Sequence, residues 1–163
     1  MTLDPLLDAS LAVKLHVLAV IPAMVLAPWL LLMRKGTPLH RLLGRVWLVT
    51  MAVTAISALF IHEIRLIGIW SPIHLLSFLT LASCLAILRS ARAGRARDHR
   101  RAVLGLFWMA LVGAGVFTLL PGRIMNEVML TPSPWPGGLI LAALAAGLAG
   151  LALHPGTTPF ARR

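Results

Sequence analysis

The chain has 163 residues, of which 59% are hydrophobic and only 12% are charged. Soluble domains carry about a quarter of their residues as charged side chains, so this composition excludes an ordinary soluble protein. Fifteen Lys and Arg residues against five Asp and Glu residues give a net charge of +10, and a single cysteine excludes a disulfide framework or a cysteine-rich zinc site. The composition predicts an all-α integral membrane protein.

Five apolar runs are long enough, with their flanking residues, to cross a bilayer, which takes about 20 residues. In chain order they cover Leu11–Met33, Val46–Ile61, Ser71–Leu88, Ala102–Leu120 and Gly137–Leu153. The first run is expected to be retained, because acidic residues stand where a signal peptide would have its basic region. Short connections leave no room for a soluble domain, so residues 1–163 are expected to form one membrane domain.

The charged residues predict the orientation of this domain. Twelve of the fifteen basic residues fall after the first run, after the third run or at the C-terminus, whereas four of the five acidic residues fall on the opposite side. The positive-inside rule therefore predicts a bacterial inner membrane protein with its N-terminus outside and its C-terminus in the cytoplasm. The basic segment from Arg89 to Arg101 contains no interleaved aromatic residue, so we expect the basic loops to face lipid headgroups and we expect no nucleic-acid partner.

The chain contains an internal repeat of two helical hairpins, over residues 11–61 and 71–120. Each hairpin has a histidine at the start of its first run, a His-Arg pair after a basic loop, and a Gly-x-x-Trp sequence opening its second run. The histidines of these two patterns are His16 with His40, and His74 with His99. Because both hairpins start on the same side, a parallel repeat predicts that His16 and His74 lie near the outer face and that His40 and His99 lie near the inner face.

Paired histidines in a membrane bundle are candidate ligands of haem iron. The repeat predicts an outer pair, His16 and His74, as axial ligands of haem b, and an inner pair, His40 and His99, as a second candidate site. In this alternation of four histidines the chain resembles the four-helix core of cytochrome b561-type electron carriers. A duplicated structural hairpin with duplicated structural histidines is the alternative interpretation.

Two further features suggest partners. Arg123 follows Pro121 and Gly122 at the end of the fourth run, where it is a candidate to hold a haem propionate or a quinone oxygen, or to lie at the interface as a lipid-facing cation. The fifth run repeats small residues every four positions, a pattern that favours close helix approach. We expect this helix either to pack on its own four-helix core or to form a homodimer interface.

The segments Gly36–Arg45, Ser71–Ser77 and His99–Arg101 resemble a bacterial family of predicted membrane proteins of unknown function. This resemblance extends over most of the chain and implies a small helical membrane domain, without an established activity.

Three functions remain open at this point. The first is a small b-type cytochrome-like electron carrier that exchanges electrons with a quinone. The second is a non-catalytic membrane subunit or assembly factor that binds lipid or a membrane protein partner. The third is a small transporter built on the parallel repeat, which is disfavoured because no acidic residue falls in the middle of a span to couple an ion. The sequence contains no phosphate-binding glycine loop, nucleophile elbow or zinc-binding helix motif, which disfavours hydrolytic and phosphoryl-transfer chemistry.

Overall fold

The computed structural model describes residues 3–62 and 72–130, together with residues 139, 142–143, 145–147 and 149–150. This part of the chain is helical and contains no β-strand. The helices are α1 (Asp4–Leu7), α2 (Leu11–Leu32), α3 (Pro38–Ala58), α4 (Pro72–Arg92), α5 (Ala96–Leu106), a π-helical segment (Phe107–Gly113), α6 (Ala114–Thr118) and α7 (Ile124–Leu130).

Four of these stretches are long and apolar enough to cross a membrane. They are Leu11–Leu32, Pro38–Ala58, Ile73–Arg92 and Ala96–Thr118, the last of which combines α5, the π-helical segment and α6. The prediction of a helical membrane domain with spans in the first four runs is therefore confirmed. Of the predicted fifth helix, residues 137–153, only those eight residues are described, and the rest of it lies outside the described residues.

The second and fourth spans begin several residues earlier than their apolar runs. Thr37 caps α3, because its hydroxyl oxygen accepts a hydrogen bond from the backbone N–H of His40 at 3.1 Å, and Pro38 occupies the first turn. α5 begins at Ala96, after a turn in which Gly94 has a φ of 65°. His40 and His99 consequently lie in the first turns of helices and not in flexible loops.

The spans form a bundle in which α3 packs against both α2 and α4, and α4 packs against α5. Residues from α2 and from the α5–π segment meet in the same core and close the bundle. Small side chains bring α2 close to α3, because Ala19, Ala23 and Ala27 are all buried at a spacing of four residues. At this contact the indole N–H of Trp47 donates a hydrogen bond to the carbonyl oxygen of Ala23 at 3.1 Å.

The opposite faces of the spans are covered with exposed apolar side chains, as lipid contact requires. On α2 the large exposed residues are Leu11, Leu15, Leu18, Ile21, Met24, Val25, Trp29 and Leu32. A soluble protein rarely exposes so large a contiguous apolar surface. The bundle therefore buries a narrow inner stripe from each helix and presents the rest of its surface to the bilayer.

Candidate functional site

The two ends of the bundle are called outer and inner here, after the orientation predicted from charge. At the outer end, His16 of α2 is anchored to the backbone of α3. Its Nδ1 lies 2.9 Å from the carbonyl oxygen of Thr54, and the hydroxyl of Ser57 lies 3.4 Å from the same nitrogen. Because a carbonyl oxygen only accepts hydrogen bonds, Nδ1 must carry the proton and donate it. The neutral ring then has its lone pair on Nε2, the nitrogen that is left to bind a metal or another donor.

His74, the predicted partner of His16, lies in the first turn of α4 and is 3% exposed. It begins a buried stripe along α4 that continues through Ser77, Thr80, Cys84, Ile87 and Ser90. Its ring packs against the ring of His62, with the centroids 5.3 Å apart and the planes tilted by 47°. The structure thus places His62, which stands outside the repeat, beside the predicted ligand.

A layer of buried hydroxyl groups surrounds these histidines. Thr54 and Ser57 on α3, with Ser77 and Thr80 on α4, are all at most 8% exposed. The hydroxyls of Thr54, Ser57 and Ser77 donate hydrogen bonds to carbonyl oxygens of their own helices, at 2.8 to 3.0 Å. These bonds satisfy the hydroxyl donors inside the bundle, so the layer adds polarity to the outer half at little desolvation cost.

Sequence reasoning did not identify these hydroxyl-bearing residues, although their spacing carried a signal. His74, Ser77 and Thr80 recur every three positions, as do Thr54 and Ser57. Residues spaced three or four apart share one face of a helix. Polar residues on one face of an otherwise apolar span indicate that the face is turned away from lipid.

At the inner end, the fold brings His40 and His99 into electrostatic range of each other. The Nδ1 of His99 lies 3.2 Å from the carbonyl oxygen of Ile87 on α4, which again assigns the proton to Nδ1. The Nδ1 of His40 is buried and has no hydrogen-bond partner within residues 3–62 and 72–130. Lys35 also lies near His40, so this end of the bundle is strongly basic.

Repeat-equivalent residues differ in their contacts. His16 is bonded to the neighbouring helix of its own hairpin, whereas the described contact of its counterpart His74 is with His62. Trp47 donates a hydrogen bond to α2, whereas the indole nitrogen of its counterpart Trp108 is buried without a hydrogen-bond partner in the described part of the chain. The two hairpins therefore present different environments at equivalent positions.

Arg123 lies between the end of the fourth span and α7. Gly122, with a φ of 78°, turns the chain before it, and the guanidinium lies 4.8 Å from the centroid of the Phe117 ring. This cation–π contact holds Arg123 against the last turn of the fourth span. Its role toward a propionate or a quinone stays a prediction.

Within the described ranges, no group of three or more His, Cys, Asp or Glu side chains is arranged to hold a metal ion. A bis-histidine haem site needs only two ligands, so the absence of larger groups does not bear on it. Cys84 is buried on the inward stripe of α4 and forms no disulfide, as befits a small apolar residue.

A family model described as "Predicted membrane protein (DUF2306)" matches residues 13–154. No curated protein and no solved structure matches the chain. The matched region covers the first span from residue 13, the other three spans completely and both candidate histidine pairs, and it confirms the resemblance expected from the motifs around His40, His74 and His99. The chain therefore belongs to this family of predicted membrane proteins of unknown function.

Proposed function

We propose that this protein is a small membrane electron carrier that binds haem b at its outer end through His16 and His74. The observation that carries the proposal is the hydrogen bond from Nδ1 of His16 to the carbonyl oxygen of Thr54. Metal-ligating histidines almost always donate their second ring N–H to a carbonyl or carboxylate, which fixes the tautomer and the ring orientation. His16 already has this arrangement, with Nε2 available for ligation.

The surroundings of His74 also suit this role. Its ring is almost fully buried on the inward face of α4, in the same outer half of the bundle as His16. Burial of this kind controls the access of water to a ligating imidazole and to the metal that it holds. When bound, haem b would supply a one-electron iron couple, and a quinone is the chemical class of membrane partner that we propose to exchange electrons with it.

The proposal is tested by the colour of the purified protein. The full chain, produced in haem-replete cells and purified in detergent, is expected to show the Soret and α bands of a low-spin b-type cytochrome in reduced-minus-oxidised spectra. A colourless preparation with correctly folded protein would contradict the proposal. The alternative function, a non-catalytic membrane subunit or assembly factor, would then be favoured.

The proposed location is the bacterial inner membrane, with the N-terminus outside and the basic end in the cytoplasm. Asp8 and Arg97 are exposed at opposite ends of the bundle, and Cys84 is the only cysteine. In a Cys84→Ser background, a membrane-impermeant maleimide should label Asp8→Cys in intact spheroplasts and should label Arg97→Cys only after lysis. Labelling of Arg97→Cys before lysis would reverse the proposed orientation.

A further inference from the structure

The buried side chains of the four spans differ in size between the outer and inner ends of the bundle. The outer part of the spans is defined here as residues 11–19, 54–58, 73–80 and 112–118. The buried residues of this part are mostly small: Val13, Ala19, Thr54, Ala55, Ser57, Ala58, His74, Ser77 and Thr80. Cofactor sites of helix bundles are formed by side chains that face one another in the bundle interior. Small side chains next to His16 and His74 therefore favour a cofactor at this end.

The remaining part of the spans contains the large buried side chains. One cluster, in which each of them is at most 6% exposed, joins Leu30, Trp47, Met51, Ile87, Leu106, Phe107 and Leu111. Protein interiors are close-packed, and extra atoms placed in them force side chains and backbone to shift. A porphyrin cannot lie in this part of the interior while the cluster keeps its packing.

The space next to this cluster is too small for a haem. A crevice between α2, α3 and the fourth span has a volume of about 170 Å³, part of which is open to the surroundings. Its lining is apolar or aromatic throughout and consists of Ala27, Leu30, Leu31, Trp47, Val103 and Phe107. Sites for drug-sized ligands have volumes of about 300–1,000 Å³ and include polar groups that fix the ligand. The crevice meets neither condition.

Only one of the two inner histidines is oriented as a haem ligand requires. A ligating histidine almost always donates its second ring N–H to a carboxylate, a carbonyl or water. Nδ1 of His16 has such an acceptor in the carbonyl of Thr54. Nδ1 of His99 has one in the carbonyl of Ile87, whereas Nδ1 of His40 is buried and has no hydrogen-bond partner within residues 3–62 and 72–130. The inner pair therefore lacks both the space for a macrocycle and an oriented second ligand.

We propose that each chain binds a single haem, at the outer pair, and that the inner part of the bundle is a barrier to electron transfer. This inference rests on the proposed function, which supplies the haem. From His16 to the end of α2 at Leu32 there are 16 residues, a length of about 24 Å at 1.5 Å per residue. The rate of electron tunnelling falls exponentially with distance, so an electron on the outer haem is not passed on to the inner end.

The electron donor and the electron acceptor then both react with the haem on the outer side. A quinol oxidised there gives one electron to each of two ferric haems in turn and releases its two protons on the outer side. The protein therefore moves no electron across the bilayer, although it spans it.

The number of haems is tested on the full chain in detergent, by the haem-to-protein ratio and a redox titration. We expect one haem per chain and one midpoint potential. His40→Ala and His99→Asn should keep the wild-type ratio, whereas His16→Ala should lose the haem; asparagine at position 99 retains a donor for the carbonyl of Ile87. Two haems per chain in the wild type, or loss of haem from either inner variant with a wild-type size-exclusion profile, would overturn this inference and leave the proposed function intact. A wild-type chain without haem would overturn both.

The barrier is tested with the haem-loaded protein in phospholipid vesicles that contain ferricyanide, with dithionite outside. Dithionite should reduce the haem iron of chains whose outer end faces outward, by one electron each. The trapped ferricyanide should be reduced no faster than in vesicles without protein. A membrane-permeant redox mediator, added afterwards, should reduce it and thereby show that the vesicles are loaded. Faster reduction of ferricyanide in the protein-containing vesicles, before the mediator is added, would overturn the inference, because it requires electrons to pass through the inner part of the bundle.

Discussion

Replacing His16 or His74 by alanine is expected to abolish the haem spectrum of the purified protein. Removing a ligand should lower haem affinity by at least about 10- to 100-fold, since loss of an outer-sphere partner alone has an effect of that size. His16 is the sharper test, because its ring is already oriented by Thr54. The measurement is the haem-to-protein ratio, together with the reduced-minus-oxidised spectrum of each variant.

His62→Ala is the matched control for these ligand variants. His62 packs against His74, so its removal should shift the bands slightly while the haem-to-protein ratio stays near that of the wild type. Added imidazole should restore a low-spin spectrum to His16→Ala, because it can occupy the space of the deleted ring; a misfolded variant would not respond. A full spectrum in both His16→Ala and His74→Ala would rule out these two residues as the ligands.

Ala23→Leu is expected to give the largest loss of stability among conservative changes in the spans. Ala23 is completely buried, and its carbonyl oxygen accepts the hydrogen bond from the indole of Trp47. A leucine at this position would push α2 away from α3 and lengthen that bond. Overpacking of this kind costs about 1–3 kcal/mol in free energy of unfolding, and the thermal midpoint in detergent should fall accordingly.

Ala82→Leu provides the control, since Ala82 is exposed on α4 and a larger apolar side chain there meets detergent or lipid. Its thermal midpoint should stay within error of that of the wild type. If Ala23→Leu were as stable as Ala82→Leu, the close packing of α2 against α3 would be wrong.

The apolar runs do not show that the inner histidines lie within helices, because both runs begin after them. A hydropathy pattern assigns charged residues such as Arg41 and Arg45 to a loop, yet the capping bond from Thr37 and the proline at position 38 start the helix before these charges. Long basic side chains can extend from the first helical turn to the headgroups, so their presence does not end a span. For this reason His40 and His99 lie on rigid helical backbone.

At the outer site, too, the sequence indicates which residues matter but not which contacts they make. The repeat drew attention to His16 and His74, and the structure places both in the half of the bundle called outer here. Neither the contact of His16 with Thr54 nor that of His74 with His62 follows from spacing along the chain. Such contacts depend on the rotation of each helix about its axis, which is set by the packing of neighbouring helices.

Composition and charge by themselves determined that the chain is a helical membrane protein, because an apolar run of this length is stable only where lipid surrounds it and only with its backbone hydrogen bonds satisfied. They also located the four spans that the structure confirms.

Tertiary structure alone decided which face of each helix is buried. Apolar side chains lie on all sides of α2, so no polar face indicates which side of the helix is buried. Ala23 and Ala27 face the core because α3 can approach these small side chains closely. That rotation places His16 against Thr54, and the packing of α5 on α4 places His99 against the backbone carbonyl of Ile87.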